Sequence, residues 1–182
     1  MDIVARAKGL LMEPIKEWSI IAAEPADTAS LFKSYVVPLA ALSAVAGLIG
    51  AALMGMGVLG VGGLIGSAVL GYVLALVGIF VLAKIIETLA PRFGGPADPT
   101  AAMKLAAYAP TASWVGGVFM IIPWIGWIPA LAGGLYSLFL FYVGTPTVIR
   151  IPKDRVMGFA ISVVMVAVAV NILIGIIIAS LF

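Results

Sequence analysis

The sequence of 182 residues contains no cysteine and no histidine, and only 10% of its residues are charged. Without cysteine the chain has no disulfide, no thiolate nucleophile and no Cys-ligated metal centre. Without histidine it lacks the most frequent general base and metal ligand. The net charge of +2 is too small to indicate a nucleic-acid partner. We therefore predict no cofactor, no metal site, no nucleic-acid binding and no enzymatic activity.

What the sequence has instead is apolar residues. Hydrophobic residues make up 64% of the chain, and its mean hydropathy is +1.25. Soluble domains carry about 45–50% apolar and about 25% charged residues. Ten cations and eight anions are too few to cover the surface of a protein of this size in water. The composition predicts an all-α integral membrane protein.

The charged residues fall into three clusters, at 1–33, 84–104 and 150–155, and the stretches between them carry no charge. Because a helix crosses the hydrocarbon with about 20 residues, stretches 34–83 and 105–149 must each fold back once. Glycine-rich residues 55–63 and proline-flanked residues 123–129 mark the two turns. A transmembrane domain, 34–182, then follows a cytoplasmic or interfacial segment, 1–33. Its five predicted transmembrane helices are 34–55, 63–83, 105–122, 129–149 and 156–180.

The distribution of lysine and arginine predicts the orientation. With five spans, the three charged clusters lie on one side of the membrane, and all ten basic residues lie in them. Basic residues are retained on the cytoplasmic side. We expect the N-terminus in the cytoplasm and the C-terminus outside, in a bacterial cytoplasmic (inner) membrane.

Residues 2–18 have the pattern of an amphipathic helix. At 100° per residue, the apolar side chains fall within an arc of about 140°, and the charged ones lie outside it. This pattern predicts an interfacial helix that is kinked or ended near Pro14; in the alternative, the apolar stripe packs on the protein's own spans. Further on, Asp27 or Thr28 is predicted to cap a short helix that leads into the first span. The stripe comprises Ile3, Val4, Ala7, Leu10, Leu11, Pro14, Ile15 and Trp18.

A second candidate feature is a set of polar residues near the cytoplasmic ends of the spans. Pro38, Pro110 and Pro146 lie at similar depth, and each is expected to free one backbone carbonyl. Hydroxyl groups at that level either bond those carbonyls or line a cavity open to the cytoplasm. Two of the charged residues, Lys84 and Glu87, are spaced i,i+3 and in the alternative neutralise each other. The predicted cluster consists of Lys84, Glu87, Lys104, Tyr108, Thr111, Tyr142, Thr145 and Arg150.

Helix packing inside the bilayer is predicted from small and polar residues. Small residues recur every fourth position from Gly47 to Gly55 and from Gly63 to Ala75, a pattern that lets helices approach closely. They are expected to pack spans within one chain, with homodimerisation as the alternative. Asn171 is expected to hydrogen-bond a neighbouring span, and a substrate or ion role is its alternative.

Several short motifs follow one another along the chain: Pro14-x-x-x-Trp18, Glu24-Pro25, residues 31–39, 105–110, 122–126, 136–146 and 151–156. In their order and spacing they resemble the Yip family of Ypt/Rab-interacting membrane proteins, in its bacterial form. The resemblance covers nearly the whole chain and implies five spans with a cytoplasmic N-terminus. Eukaryotic members are linked to Rab-type GTPases and to shaping of secretory membranes, but they carry a long N-terminal tail that this sequence lacks, which argues against a small GTPase partner.

These observations favour one function and leave another open. The first is a non-enzymatic protein that organises or shapes the membrane, or binds lipid, another membrane protein or a second copy of itself. The alternative is a transporter or channel for a small or lipid-like solute that uses the cytoplasm-facing cavity. The absence of predicted charge at mid-membrane argues against a proton-coupled pump.

Overall fold

The computed structural model describes residues 2–55 and 60–181, with backbone alone at 171 and 174–181. Every regular element in these ranges is helical, which confirms the predicted all-α class. Short π-helical turns precede α4 and follow α8. The helices are α1 (Ile3–Met12), α2 (Pro14–Ala23), α3 (Thr28–Leu31), α4 (Val37–Leu53), α5 (Gly60–Leu89), α6 (Pro99–Tyr108), α7 (Thr111–Val118), α8 (Trp127–Gly144) and α9 (Val156–Leu181).

Three helical segments in the described part of the chain are long and apolar enough to cross a membrane, whereas the sequence predicts five. They are Thr28–Leu53, Gly60–Phe93 and Trp127–Ile149, and they correspond to the first, second and fourth predicted spans. The prediction of one continuous helix over 105–122 is wrong. Pro110 has no N–H to continue the hydrogen-bond ladder, so this stretch contains the end of α6 and the short helix α7. The fifth predicted span coincides with α9, whose last side chains lie outside the described residues.

The N-terminal segment is a helical hairpin rather than one amphipathic helix. Helix α1 ends at Met12 and α2 begins at Pro14, as the predicted break requires. Because the chain reverses there, the predicted single apolar stripe is divided. Leu10 and Trp18 are completely buried against the rest of the protein, whereas Val4 and Ile15 are 76% and 73% exposed.

After the hairpin, the chain enters its first long helix as predicted. The carboxylate of Asp27 accepts a hydrogen bond from Ser30 N and caps α3. A π-helical turn, Phe32–Val36, then joins α3 to α4 without interruption. Pro38 lies in the first turn of α4, where its missing N–H is accommodated by the wider turn before it.

Glycines set the closest approaches between helices. A Cβ atom at Gly50 would collide with the carbonyl of Met120, and one at Gly133 with the carbonyl of Ala112. Helices α4, α7 and α8 therefore form the tightly packed part of the bundle. The small-residue stripes of α4 and α5 behave differently. They line an open groove of about 360 Å³, and a Cβ at Gly71 would have nothing within 4 Å.

The buried core lies towards one end of the bundle, which we call the hairpin end. Helix α5 has no buried residue from 60 to 78, and its first is Ile79. In α8 burial begins at Leu140, and in α9 it ends, within the described side chains, at Val163. All three positions lie towards the end at which α1 and α2 dock.

Candidate functional site

A buried arginine holds the two helices of the hairpin together. Arg6 of α1 is only 7% exposed, and its guanidinium bonds Glu17 Oε1 at 2.5 Å and both carboxylate oxygens of Glu24 at 2.5 and 2.7 Å. Burial lowers the pKa of Arg6, but the hydrogen bond to Glu24 and the nearby carboxylates outweigh it and raise the pKa overall. The guanidinium also lies 5.7 Å from the ring centre of Tyr108, within the range of a cation–π contact.

A buried lysine fastens the end of the hairpin to the bundle. Lys104 of α6 is 7% exposed, and its ammonium donates hydrogen bonds to the carbonyls of Ile21 at 2.8 Å and Glu24 at 2.6 Å. These carbonyls lie at the C-terminus of α2, where a positive charge is favoured by the helix dipole.

Aromatic side chains form the floor beneath these charges. Trp18 contacts the edge of Tyr108 with ring centres 6.4 Å apart, and Tyr35 lies 4.6 Å from Tyr108. Thr111 Oγ1 donates to the Tyr108 carbonyl at 2.6 Å, so the Tyr35 hydroxyl donates to Thr111 across 2.8 Å. Trp18 packs on Gly144, where a Cβ would lie 2.5 Å from the indole.

An open cavity of about 610 Å³ lies above the aromatic floor, between the hairpin and α3. Its walls include Arg6, Glu17, Glu24, Ser34 and Tyr108. Tyr108 is the residue of α6 that lines it, and Tyr35 and Trp114 pack beyond. The cavity is therefore a pocket at the hairpin end, with a polar mouth and an aromatic floor.

The structure brings part of the predicted polar cluster together and leaves the rest apart. Lys104, Tyr108, Thr111 and Thr145 are all buried at the hairpin end. Of these, Thr145 donates its hydroxyl hydrogen to the carbonyl of Phe141 at 2.7 Å, which also accepts the Thr145 backbone N–H and is therefore not a carbonyl freed by Pro146.

The other predicted residues of the cluster, Lys84, Glu87, Tyr142 and Arg150, are exposed or partly exposed. The ammonium of Lys84 is 3.0 Å from both carboxylate oxygens of Glu87, as in the i,i+3 alternative. Tyr142 is 39% exposed, and Arg150 is exposed with a left-handed backbone, φ 60°. The side chain of Asn171 lies outside the described residues, so its hydrogen bond stays a prediction.

Sequence reasoning missed the residues that organise this site, which are Arg6, Glu17, Glu24, Trp18 and Tyr35. On one continuous helix, Arg6 and Glu17 lie three turns apart and have no reason to meet. The signal that was available is the proline between oppositely charged residues, because a reversal at Pro14 brings the two helices side by side.

Together, a long-helix bundle, apolar outer faces and a docked N-terminal hairpin define a helical membrane protein. The chain belongs to the Yip1 domain family, whose model matches residues 8–174. It is 26% identical over 174 residues to the inner membrane protein YohC of Escherichia coli strain K12, covering 89% of this chain and 88% of that protein. The YohC protein of strain CFT073 matches to the same extent. No solved structure matches the chain.

Proposed function

We propose that this protein shapes and organises the bacterial inner membrane by inserting its N-terminal hairpin into the cytoplasmic leaflet. The protein is then wider in that leaflet than in the other one. The observation that carries this proposal is the depth at which the hairpin docks. No catalytic step is involved, and the role is that of a lipid-displacing wedge.

The depth of the hairpin follows from its contacts along α8. Trp18 of α2 packs on Gly144, and the hydroxyl of Tyr136 donates to the carbonyl of Leu11 at 3.0 Å. These α8 positions are eight residues apart, or about 12 Å along the axis at 1.5 Å per residue. Since α8 belongs to a helix long enough to span the membrane, the turn of the hairpin reaches well below the level of Gly144.

The outer face of the hairpin suits a lipid environment. Val4, Met12 and Ile15 are between 73% and 76% exposed, whereas other apolar residues of the same two helices are buried against the protein. Apolar side chains that point away from the protein at the depth of a leaflet contact acyl chains favourably. Lys8 is exposed on the same hairpin, and its long side chain can extend to the headgroups, whereas Lys16 is paired with Glu13 at 3.0 Å beside the turn.

The number of elements in each half of the bundle supports a wedge shape. At the hairpin end, α1, α2, α3 and α6 pack beside the long helices, and buried residues of α5, α8 and α9 are found there. Towards the other end the helices packed together are α4, α7 and α8, and α5 has only partly exposed or exposed residues between 60 and 78. Insertion of extra helices expands one leaflet relative to the other. The membrane then curves so that the expanded leaflet lies on its convex side.

The orientation and the five-span topology belong to the proposal. All ten lysine and arginine residues lie in the three charged clusters, and the hairpin end holds these clusters, so the positive-inside rule favours a cytoplasmic hairpin end. Helices α6 and α7 together cross once in broken form, with α9 as the final span. A broken crossing is tolerated where protein surrounds it, and residues 101–109 are all buried.

Reconstitution tests this function. The full chain and a variant with Val4→Gln, Met12→Gln and Ile15→Gln are placed in phosphatidylcholine vesicles, and vesicle diameters are measured by electron cryo-microscopy. We expect the wild type to lower the mean diameter relative to protein-free vesicles and the variant to lose this effect. A matched control carries Ile125→Gln and Ile128→Gln, in and just after the turn before α8, where the native side chains are 61% and 52% exposed.

Two results decide the outcome. If the control acts like wild type and the hairpin variant does not, the effect belongs to the outer face of the hairpin. The wedge proposal is wrong if the hairpin variant lowers the mean vesicle diameter as much as the wild type does. Circular dichroism must show that this variant is folded. The alternative function, a transporter or channel, is supported less well, because packed aromatic rings close the bottom of the cavity at the hairpin end.

A further inference from the structure

A lateral groove runs between α5 and α9, near the hairpin end of both helices. It encloses about 340 Å³, and no residue of α1 or α2 lines it. Its wall on α5 extends from Val81 to Leu89, which is about 12 Å of helix. The lining is almost entirely apolar apart from Lys84, whose charge is paired with Glu87. The lining residues are Val81, Lys84, Ile85, Thr88, Leu89 and Val166.

Two loops meet where α5 ends and α9 begins, at the hairpin end of the two helices that line this groove. The rings of Phe93 and Phe159 join the end of α5 to the start of α9, with centres 5.6 Å apart. Gly94 has a left-handed backbone, φ 88°, and a Cβ there would lie 3.6 Å from Arg155 Nη1 and 3.5 Å from the ring of Pro152. The loop that follows α5 and the loop that precedes α9 are therefore in contact.

These loops carry an excess of positive charge, which we call the basic rim: Arg92, Arg150, Lys153 and Arg155. All four are exposed. Asp154 is the one carboxylate between Arg150 and the start of α9, and it lies 3.9 Å from Arg155 Nε with both side chains more than half exposed. Such a pair is weak, so the rim keeps a net positive charge. Among the described residues, Arg92, Arg150 and Lys153 form no ion pair.

We propose that the basic rim and the groove together bind one anionic phospholipid, with its phosphate at the rim and an acyl chain between α5 and α9. The argument is the combination of charge and shape. A cationic loop attracts acidic headgroups, and an apolar groove beneath it, on a helix long enough to span the membrane, is filled by hydrocarbon. A soluble anion has no acyl chain to fill the groove, and an acidic protein segment does not enter a bilayer.

This inference is independent of the proposed wedge, because the hairpin contributes nothing to the groove or the rim. It concerns which lipid the protein retains, whereas the wedge concerns how the protein displaces lipid. The two proposals are tested with different residues and different measurements, so either one can fail alone.

The test compares two lipids with the same acyl chains. The purified full chain in detergent is incubated with phosphatidylglycerol or phosphatidylcholine, and retained lipid is counted by native mass spectrometry. We expect phosphatidylglycerol to be preferred, and Arg92→Gln, Lys153→Gln and Arg155→Gln each to reduce that preference about fivefold. The matched controls carry Lys8→Gln, Lys16→Gln or Lys33→Gln, at exposed positions of the hairpin and of the π-helical turn after α3, and each is expected to keep the preference.

A second variant tests the groove separately from the charge. Val166→Trp fills the space between α5 and α9 and should lower retention of phosphatidylglycerol, whereas Ile161→Trp, at a 57% exposed position on the same helix, should not. The proposal is overturned if Arg92→Gln, Lys153→Gln and Arg155→Gln all keep the preference, or if they and the control variants lose it equally. It is also overturned if Val166→Trp has no effect, or if an acidic peptide displaces the lipid at equal charge concentration.

Discussion

Replacement of Arg6 by methionine should release α1 from its docked position against α2, because both carboxylate partners of Arg6 belong to the hairpin. The substitution keeps a long apolar stem but removes the charge that faces Glu17 and Glu24. Glu17 is 15% exposed and Glu24 is 45% exposed. The consequence is therefore unequal for the two carboxylates, because Glu24 can turn to solvent and Glu17 cannot do so while α2 remains docked.

The size of the effect follows from that difference. Truncation of one partner of a buried ion pair costs about 3–5 kcal/mol, whereas an ion pair with an exposed partner contributes about 0–1 kcal/mol. We take the lower end of the first range, about 3 kcal/mol, because only Glu17 is stranded. At about 1.4 kcal/mol for each factor of ten, the undocked population should rise about 150-fold.

Thiol labelling measures this population, because the chain has no cysteine of its own. In an Ala7→Cys background, the native side chain is 8% exposed, and labelling by a maleimide reports undocking. An Asp154→Cys background, at a position with a 77% exposed side chain, serves as reference and should be unaffected. Arg6→Met combined with Glu17→Met should recover most of the protection, since it strands no buried charge. A change below about threefold in the single variant would refute the reasoning.

Three further predictions concern the docking contacts. Gly144→Ala places a Cβ 2.5 Å from the indole of Trp18 and should destabilise docking by about 1–3 kcal/mol; Gly134→Ala, where nothing lies within 4 Å, should be neutral or stabilising in thermal unfolding. Lys104→Met removes the donor to the α2 carbonyls and should lower the free energy of docking by about 1.5–3 kcal/mol. The loss is measured as faster proteolysis of the N-terminal segment. Tyr136→Phe removes the hydrogen bond to the Leu11 carbonyl and should lower the free energy of docking by about 1 kcal/mol. Thiol labelling in the Ala7→Cys background should then rise several-fold.

The class of protein and its main helices could be predicted from the sequence because they depend on local quantities. Spans 34–55, 63–83 and 129–149 follow from the length of charge-free apolar stretches, and in each case a long apolar helix occupies that range. The cap at Asp27 follows from side-chain chemistry within one turn. Family membership is likewise carried by the order of motifs along the chain.

The continuous span predicted over 105–122 failed because hydropathy does not register hydrogen bonding. The stretch is apolar throughout, but Pro110 interrupts the ladder. The bundle supplies substitutes nearby, such as the bond from Thr111 to the Tyr108 carbonyl. That bond is local, but Thr111 is itself bonded by the Tyr35 hydroxyl at 2.8 Å, and Tyr35 lies 76 positions away in the chain.

By itself, the sequence determined that this chain is a helical membrane protein of the Yip type, with its charges confined to three clusters, since composition and periodicity suffice for that. Only the tertiary structure decided that Arg6 meets Glu17 and Glu24 and that Lys104 meets the end of α2. It also decided which apolar residues of the hairpin face inward. The physical reason is that the turn at Pro14 and the docking on α8 bring together residues up to 125 positions apart, and no local pattern encodes contacts of that range.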